Sequence, residues 1–146
     1  MTAVHEIGHA IGLQHPGNYN GGGSAYNSGA VYAGDTKARS VMSYWSEKNQ
    51  AGHDFQSSNP SAPMMDDIAA AQRLYGANHQ TRNTDTTYGF NSNTEREAMT
   101  LKSATDKPVF AYGTAAVTIR WTFQGSHRTR RSTSMKPRSP TLAAWI

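Results

Sequence analysis

The sequence predicts a mixed α+β fold, because two helical segments are followed by a segment of short turns and strands. Residues 3–13 predict the first helix, in which small and apolar side chains surround two histidines and Gly12 lies near the end. A second helix is expected from Pro63, which suits a first turn, up to Gly76, which ends it. Residues 77–111 have the composition of short turns and strands that open a second unit.

Loops and one tight turn separate the two predicted helices. Residues 16–40 contain many Gly, Asn and Ser, and residues 59–63 form a shorter loop. Residues 40–45 are apolar and aromatic, which suits a tight turn in a packed wall. In the second helix, Asp66 and Asp67 complement the positive end of the helix dipole. The apolar stripe of this helix consists of Ile68, Ala71, Leu74 and Tyr75.

The composition excludes several classes of protein. The 146 residues suit one domain of ordinary size, and the absence of cysteine excludes disulfides, thiolate metal sites and a cysteine nucleophile. No apolar run approaches the ~18–20 residues of a membrane span, so no membrane partner is expected. The N-terminus has no basic region followed by an apolar stretch, so no secretory signal is expected there.

The net charge of +4 is unevenly distributed along the chain. Residues 1–111 hold 8 Lys/Arg and 10 Asp/Glu, whereas residues 112–146 hold 6 Lys/Arg and no acidic residue. Such an asymmetry is typical of a basic tail, in which Arg128, Arg130 and Arg131 could contact phosphates. A basic-tail binding module is therefore one hypothesis for this chain.

The stretch HEIGHAIGLQH, from His5 to His15, is the most specific feature of the sequence. On a helix, His5 and His9 are four residues apart and point from one face, which suits two imidazole ligands of Zn²⁺. Glu6 is rotated by about 100° around the helix, so it can reach a zinc-bound water without ligating the metal. Gly12 can end the helix in a left-handed conformation, after which His15 returns as a third ligand. Three protein ligands leave one position open for water, which is the catalytic pattern.

Four further stretches of the sequence resemble segments of one protein family. Pro16 and Gly17 follow the third histidine, and SVMSYWSE over residues 40–47 resembles the Met-turn of the serralysins, a family of metzincin zinc proteases. SAPMMDDIAAAQRLYGAN over residues 61–78 is similar to the helix that closes their protease domain. YGFNSNT over residues 88–94 is similar to the start of their calcium-binding repeat domain. The resemblance covers roughly residues 4–111.

The resemblance implies a zinc endopeptidase acting on protein or peptide substrates. His5, His9 and His15 would ligate Zn²⁺, Glu6 would be the general base and then a proton shuttle, and the zinc would polarise the scissile carbonyl. Two further roles are implied by the resemblance. Met42 would form the apolar floor beneath the metal, and Tyr44 would ligate zinc at rest and swing away to stabilise the oxyanion. Without the resemblance, Tyr44 is simply a packed aromatic.

The resemblance also implies a calcium site and secretion. Arg82, Thr84 and Thr86 lie where the family supplies backbone oxygens to Ca²⁺, a cation that takes 6–8 oxygen ligands. Read without the family, they are plain loop residues. The family is secreted by type I export, and its signal lies at the far C-terminus.

After Ala111 the resemblance is expected to stop, and residues 112–146 are interpreted as an out-of-frame tail. If the third base of each codon is read with the first two bases of the next, Trp121-Thr122 forces an Asp codon, and residues 114–117 permit three Gly codons. One lost base near codon 111 would therefore account for the change, and restoring that base would recover the Gly- and Asp-rich segment of the family. A frame error explains the basic tail without any nucleic-acid partner, and it would remove the calcium ligands and the export signal.

Three domains follow from this interpretation. Residues 1–76 are expected to be the C-terminal part of a metzincin α+β domain, and residues 77–111 the start of a calcium-binding β-roll. Residues 112–146 are expected to be irregular. Because Met1 lies four residues before His5, the sheet that normally supports the first helix is expected to be missing. The alternative function is therefore a catalytically dead fragment that at most binds zinc.

Overall fold

A computed structural model describes residues 2–21, 25–112 and 119–122 of the chain. Within these ranges, the α-helices are α1 (Thr2–Ala10), α2 (Tyr26–Gly29) and α3 (Met65–Tyr75), and the strands are β1 (Thr86–Gly89) and β2 (Ile119–Thr122). Two single-turn 3₁₀ helices, Glu47–Asn49 and Glu97–Met99, lie in the connections. The longest of these helices, α3, has 11 residues, and no helix in the described ranges has the length and apolar character needed to cross a bilayer.

Helix α1 ends in the way that the glycine predicts, although three residues earlier than residue 13. Gly12 has a left-handed φ of 90°. Its N–H donates to the His9 carbonyl at 2.9 Å, and the Leu13 N–H donates to the Gly8 carbonyl at 2.9 Å. This pair of bonds is the Schellman arrangement, which satisfies carbonyls at the helix end and reverses the chain direction. The reversal carries the chain back towards His15.

Helix α3 begins and ends close to the predicted residues. Asp67 lies in the first turn, where its carboxylate accepts from the Met64 N–H at 2.8 Å and so caps the helix start. Gly76, with a φ of 83°, ends the helix. The stripe predicted on this helix is only partly covered, because Leu74 and Tyr75 are exposed. The Tyr75 hydroxyl nevertheless reaches the turn that follows α1, where it donates to the Ile11 carbonyl at 2.7 Å.

Two apolar clusters form the core of the described residues. The first lies under α1 and contains Leu13, Ala38, Val41, Met42, Phe55, Met64 and Val109. The second contains Ala62, Tyr88, Met99, Phe110 and Tyr112. Val109 belongs to the first cluster although it comes from the segment after Gly76, and its carbonyl accepts from the Ser61 N–H at 2.8 Å. The two predicted units therefore share core residues, while a domain boundary at residue 76 stays a prediction.

The expectation of an irregular tail is wrong for residues 119–122, which form β2. This strand pairs in parallel with β1, with Thr86 opposite Ile119 and Gly89 opposite Thr122. The segment Ile-Arg-Trp-Thr consists largely of β-branched and aromatic residues, which favour a strand whatever their reading frame. Gly89 permits the close approach, because a Cβ at this position would collide with the Thr122 carbonyl. The other residues of the predicted tail, apart from Tyr112, lie outside the described ranges.

Candidate metal centre

Three histidine side chains converge at the end of α1. His15 Nε2 lies 3.1 Å from His5 Nε2 and 3.2 Å from His9 Nε2. All three candidate ligand atoms lie within 4.8 Å of one another, and the described residues contain no other such group of three or more His, Cys, Asp or Glu. The fold thus brings together the three residues that the sequence motif singles out. His5 and His9 are placed by the helical repeat, and His15 is placed by the chain reversal at Gly12.

Each imidazole is aimed by a backbone carbonyl. His5 Nδ1 donates to the Val41 carbonyl at 2.8 Å, and His9 Nδ1 donates to the Leu13 carbonyl at 2.9 Å. His15 Nδ1 donates to the Tyr19 carbonyl at 2.7 Å. Because a carbonyl can only accept, the proton of each neutral ring must be on Nδ1. Each Nε2 then carries a lone pair directed at the other two, so these nitrogens cannot hydrogen-bond to one another.

Three facing lone pairs suit a bound cation. Two nitrogens about 2.0–2.1 Å from one zinc ion, at a tetrahedral angle, lie roughly 3.3–3.4 Å apart. The two short Nε2 separations of 3.1 and 3.2 Å are within a few tenths of an ångström of that spacing. Carbonyl-bound Nδ1–H groups are also the outer-shell partners that orient zinc-ligating histidines. The donor set and its geometry therefore fit Zn²⁺.

The electrostatics of His15 favour the neutral ring that a metal requires. Burial, the largest cause, lowers the pKa of His15 below its ordinary value of 6.5, and the neighbouring His9 and His5 lower it further. The hydrogen bond to the Tyr19 carbonyl and the Glu6 carboxylate act in the opposite direction and raise the pKa. The net lowering keeps this imidazole neutral near pH 7, which is its ligating form.

Met42 is buried and packs against the helix that carries two of the histidines. Its side chain is 1% exposed and belongs to the first core cluster. A Cβ built on Gly8, in the middle of α1, would lie 2.5 Å from Met42 Sδ. The small residue between His5 and His9 is therefore what allows the methionine to pack directly against the helix that carries the two ligands.

Glu6 and Tyr44 both lie at the edge of the cluster. Glu6 is exposed on α1 and acts electrostatically on His15. The Tyr44 ring is 41% exposed, and its centroid lies 4.5 Å from that of His15 and 5.9 Å from that of His5. The Tyr44 ring is thus near the point where the three Nε2 atoms meet, and Glu6 is on the same helix as two of the histidines. A carboxylate and a phenol beside this point can accept and donate protons.

Tyr19 is a residue of the site that the sequence reasoning missed. Its carbonyl aims His15, and its ring stacks on His15 with centroids 5.4 Å apart and an interplanar angle of 11°. Its hydroxyl donates to the fully buried carboxylate of Asp35 at 2.9 Å. In the sequence, Tyr19 is one aromatic residue in a Gly- and Asn-rich loop, so its only signal is that it follows His15 by four residues.

The three residues expected near calcium lie just before or at the start of β1. Thr84 is exposed, and its carbonyl accepts from the Thr86 hydroxyl at 2.9 Å. Arg82 has a left-handed φ of 54°. Three backbone oxygens are half or less of the 6–8 that Ca²⁺ takes. Among the described residues no cluster of carboxylates joins them, so this part of the chain does not by itself complete a calcium site.

Comparison with known proteins points to one family. Residues 77–132 match the family model described as Peptidase M10 serralysin C terminal, and this range continues past Ala111, where the resemblance was expected to end. Serralysin C of Dickeya chrysanthemi is 50% identical over 132 residues, which is 90% of this chain and 27% of that protein. Metalloprotease AprA of Pseudomonas entomophila (strain L48) is 53% identical over 116 residues, which is 76% of this chain and 24% of that protein.

The chain spans about a quarter of the length of the curated relatives it matches. A serralysin of Photorhabdus luminescens is likewise matched over about a quarter of its length, with 49% identity over 113 residues and 23% of that protein covered. The reading frame of residues 112–146 stays a prediction. Identity near one half over most of the chain, together with the matching C-terminal model, shows that this chain belongs to the serralysin family of metalloproteases.

Proposed function

We propose that this chain carries the zinc centre of a secreted serralysin-type metalloendopeptidase that hydrolyses peptide bonds of protein substrates. The observation that carries the proposal is the convergence of three Nε2 lone pairs, each fixed by a carbonyl on the opposite ring nitrogen. The names of the relatives, which are serralysins and metalloproteases, support the same reaction class.

In this proposal, His5, His9 and His15 would hold zinc, and Met42 would form the apolar floor beneath them. Bound zinc supplies Lewis-acid polarisation of the scissile carbonyl and a lowered pKa for the attacking water. Glu6, exposed on α1 next to His5 in the sequence, would accept the proton of that water and deliver it to the leaving amine. Tyr44, whose ring lies against His15, would be a further ligand of the resting zinc and would donate a hydrogen bond to the developing oxyanion.

Calcium binding by Arg82, Thr84 and Thr86, and secretion by type I export, belong to the same family-based proposal. The backbone oxygens of these residues would be part of the ligand set, with the remaining oxygens supplied from elsewhere. No catalytic step depends on this site. Its role would be to order the start of the C-terminal unit.

A second candidate function is a zinc-binding but catalytically silent fragment. The observation that favours it is the exposure of apolar side chains on α1 and just after it, where Ile7 is 59% and Ile11, the residue that follows the helix, is 40% exposed. Most of the stability of a short helix comes from packing of its apolar face, and this face has little cover among the described residues. A ligand helix with little support holds its histidines less firmly than catalysis requires.

Zymography of the 146-residue chain, with and without a chelator, separates the two candidates. Chelator-sensitive cleavage that is lost in Glu6→Gln, while that variant still binds one zinc per chain, supports the endopeptidase. Zinc binding without cleavage supports the silent fragment. His9→Ala is expected to abolish zinc binding, and His79→Ala, which lies outside the cluster, is its matched control. Zinc binding that is unchanged in His9→Ala would contradict both candidates.

A further inference from the structure

Asp67 presents a buried carboxylate to the turn that lies under the histidines. The residue is in the first turn of α3 and is 3% exposed. Its Oδ1 accepts from the Ser40 hydroxyl at 2.7 Å, and its Oδ2 accepts from the Val41 N–H at 2.8 Å. The Met64 N–H, also at 2.8 Å from Oδ2, completes the set of three donors. Helix α3 is thereby fixed to residues 40–41 through one side chain.

Val41, which is hydrogen-bonded to Asp67, also orients His5. Val41 donates its N–H to Asp67 and accepts the Nδ1–H of His5 with its carbonyl, at 2.8 Å in each case. Ser40 adds a second link, because its hydroxyl accepts from the Met42 N–H at 3.0 Å while donating to Asp67. A continuous series of hydrogen bonds therefore runs from α3, through the turn, to the ring of one of the three candidate ligands.

The chemistry of Asp67 suits this position. Burial, the largest cause, raises the pKa of Asp67 above its ordinary value of 3.8, and the hydrogen bonds from Ser40, Val41 and Met64 offset only part of that rise. An ionised carboxylate can only accept, and here every contact comes from a donor. Asparagine has the same shape, but its amide nitrogen cannot accept: facing Ser40 it would reverse that hydrogen bond and donate to the hydroxyl, and the Val41 and Met64 N–H groups would meet a neutral oxygen in place of the carboxylate. The charge and not only the shape of the side chain is therefore matched to the turn.

We propose that Asp67 is a positioning residue for the metal centre, which sets the orientation of His5 through the peptide units of Val41. This inference rests on the proposed function, because it assumes that His5 ligates zinc. Outer-shell partners of this kind typically change metal affinity by about 10- to 100-fold when they are altered. Asp67 acts through one further hydrogen bond, so the expected loss is near the lower end of that range.

The neighbouring Asp66 offers a matched control. It carries the same charge on the same helical turn, but its carboxylate contacts Arg39 at 3.0 Å and the Tyr32 hydroxyl at 2.5 Å. Neither of these partners contacts a histidine in the described hydrogen bonds. Removing the charge of Asp66 should therefore lower stability without changing the orientation of His5.

The test compares zinc affinity in the full 146-residue chain, by competition with a chromophoric chelator, for wild type, Asp67→Asn and Asp66→Asn. Asp67→Asn is expected to weaken zinc binding by about 10-fold and to shift the visible absorption of the Co²⁺-substituted chain. Asp66→Asn is expected to leave both readouts at wild-type values. A merely structural Asp67 would lower the unfolding midpoint without changing affinity or spectrum while the chain is folded.

The outcomes are distinct. If wild type binds no zinc, the proposed function fails before Asp67 is tested. If wild type binds zinc and folded Asp67→Asn matches it in affinity and Co²⁺ spectrum, the positioning role is refuted. If Asp67→Asn does not fold, Ser40→Ala replaces it, since that change removes one donor to Asp67 and the acceptor for the Met42 N–H. Unchanged zinc affinity and Co²⁺ spectrum in folded Ser40→Ala would then overturn the inference.

Discussion

Removing the Tyr19 hydroxyl tests the link between the loop after His15 and the core. In Tyr19→Phe the ring that stacks on His15 remains, but Asp35 loses its donor at 2.9 Å. The Val31 N–H, at 3.5 Å from the other oxygen of Asp35, is too distant to take over that role. Burial raises the pKa of Tyr19 well above its ordinary value of 10, and Asp35 raises it further, so the phenol is protonated and donates at neutral pH.

The expected loss of stability follows from the burial and charge of the acceptor. A hydrogen bond to a charged group contributes about 1.5–3 kcal/mol, and a buried partner left without it bears the full cost of desolvation. Tyr26→Phe is the matched control, because the Tyr26 hydroxyl donates to the Ala33 carbonyl at 2.6 Å but is exposed. Water can replace that bond, so the control should lose no more than about 1 kcal/mol.

Urea unfolding followed by circular dichroism, in the presence of a chelator, measures both variants without a contribution from bound metal. Tyr19→Phe should lower the unfolding free energy by at least about 1 kcal/mol more than Tyr26→Phe does. Equal losses in the two variants would show that Asp35 does not depend on Tyr19, and the reasoning about this loop would be refuted.

Three other predictions can be checked separately. Because the pKa of Tyr19 is raised in the folded chain, its contribution to stability is present below pH 10 and is lost as the pH rises above 10. The unfolding free energy of the wild type should therefore fall above pH 10 by up to about 1.4 kcal/mol per pH unit, and this fall should be smaller in Tyr19→Phe. An unchanged fall in Tyr19→Phe would contradict this prediction. Met42→Ala should cost about 2–5 kcal/mol in urea unfolding because Met42 is buried under α1. The volume-conserving Met42→Leu should cost less than about 1.5 kcal/mol, and equal costs would argue against tight packing there. Resequencing the gene across codons 105–115 should reveal one dropped base, and an intact frame would make the tail genuine.

Much of the candidate metal centre could be predicted from local sequence. The spacing of His5 and His9 fixes one helical face, and Gly12 determines where the chain leaves the helix, because few other residues adopt its φ of 90°. The end of α3 was likewise predictable from Gly76, whereas Pro63, expected in the first turn, lies two residues before the helix begins at Met65. In contrast, β2 was not expected, because the compositional argument for an irregular tail overlooked the strand-forming residues 119–122.

The sequence by itself determined the family, the three histidines and the helices that flank the site, since these depend on short-range spacing and on glycine conformation. Only the tertiary structure decided which groups aim those histidines. His5 is oriented by the carbonyl of Val41, which is 36 residues away in the sequence, and His15 by the carbonyl of Tyr19. The Asp67 carboxylate in turn accepts from the Val41 N–H. A backbone carbonyl is present at every residue, so no side-chain pattern indicates which one will face an imidazole once the chain is folded.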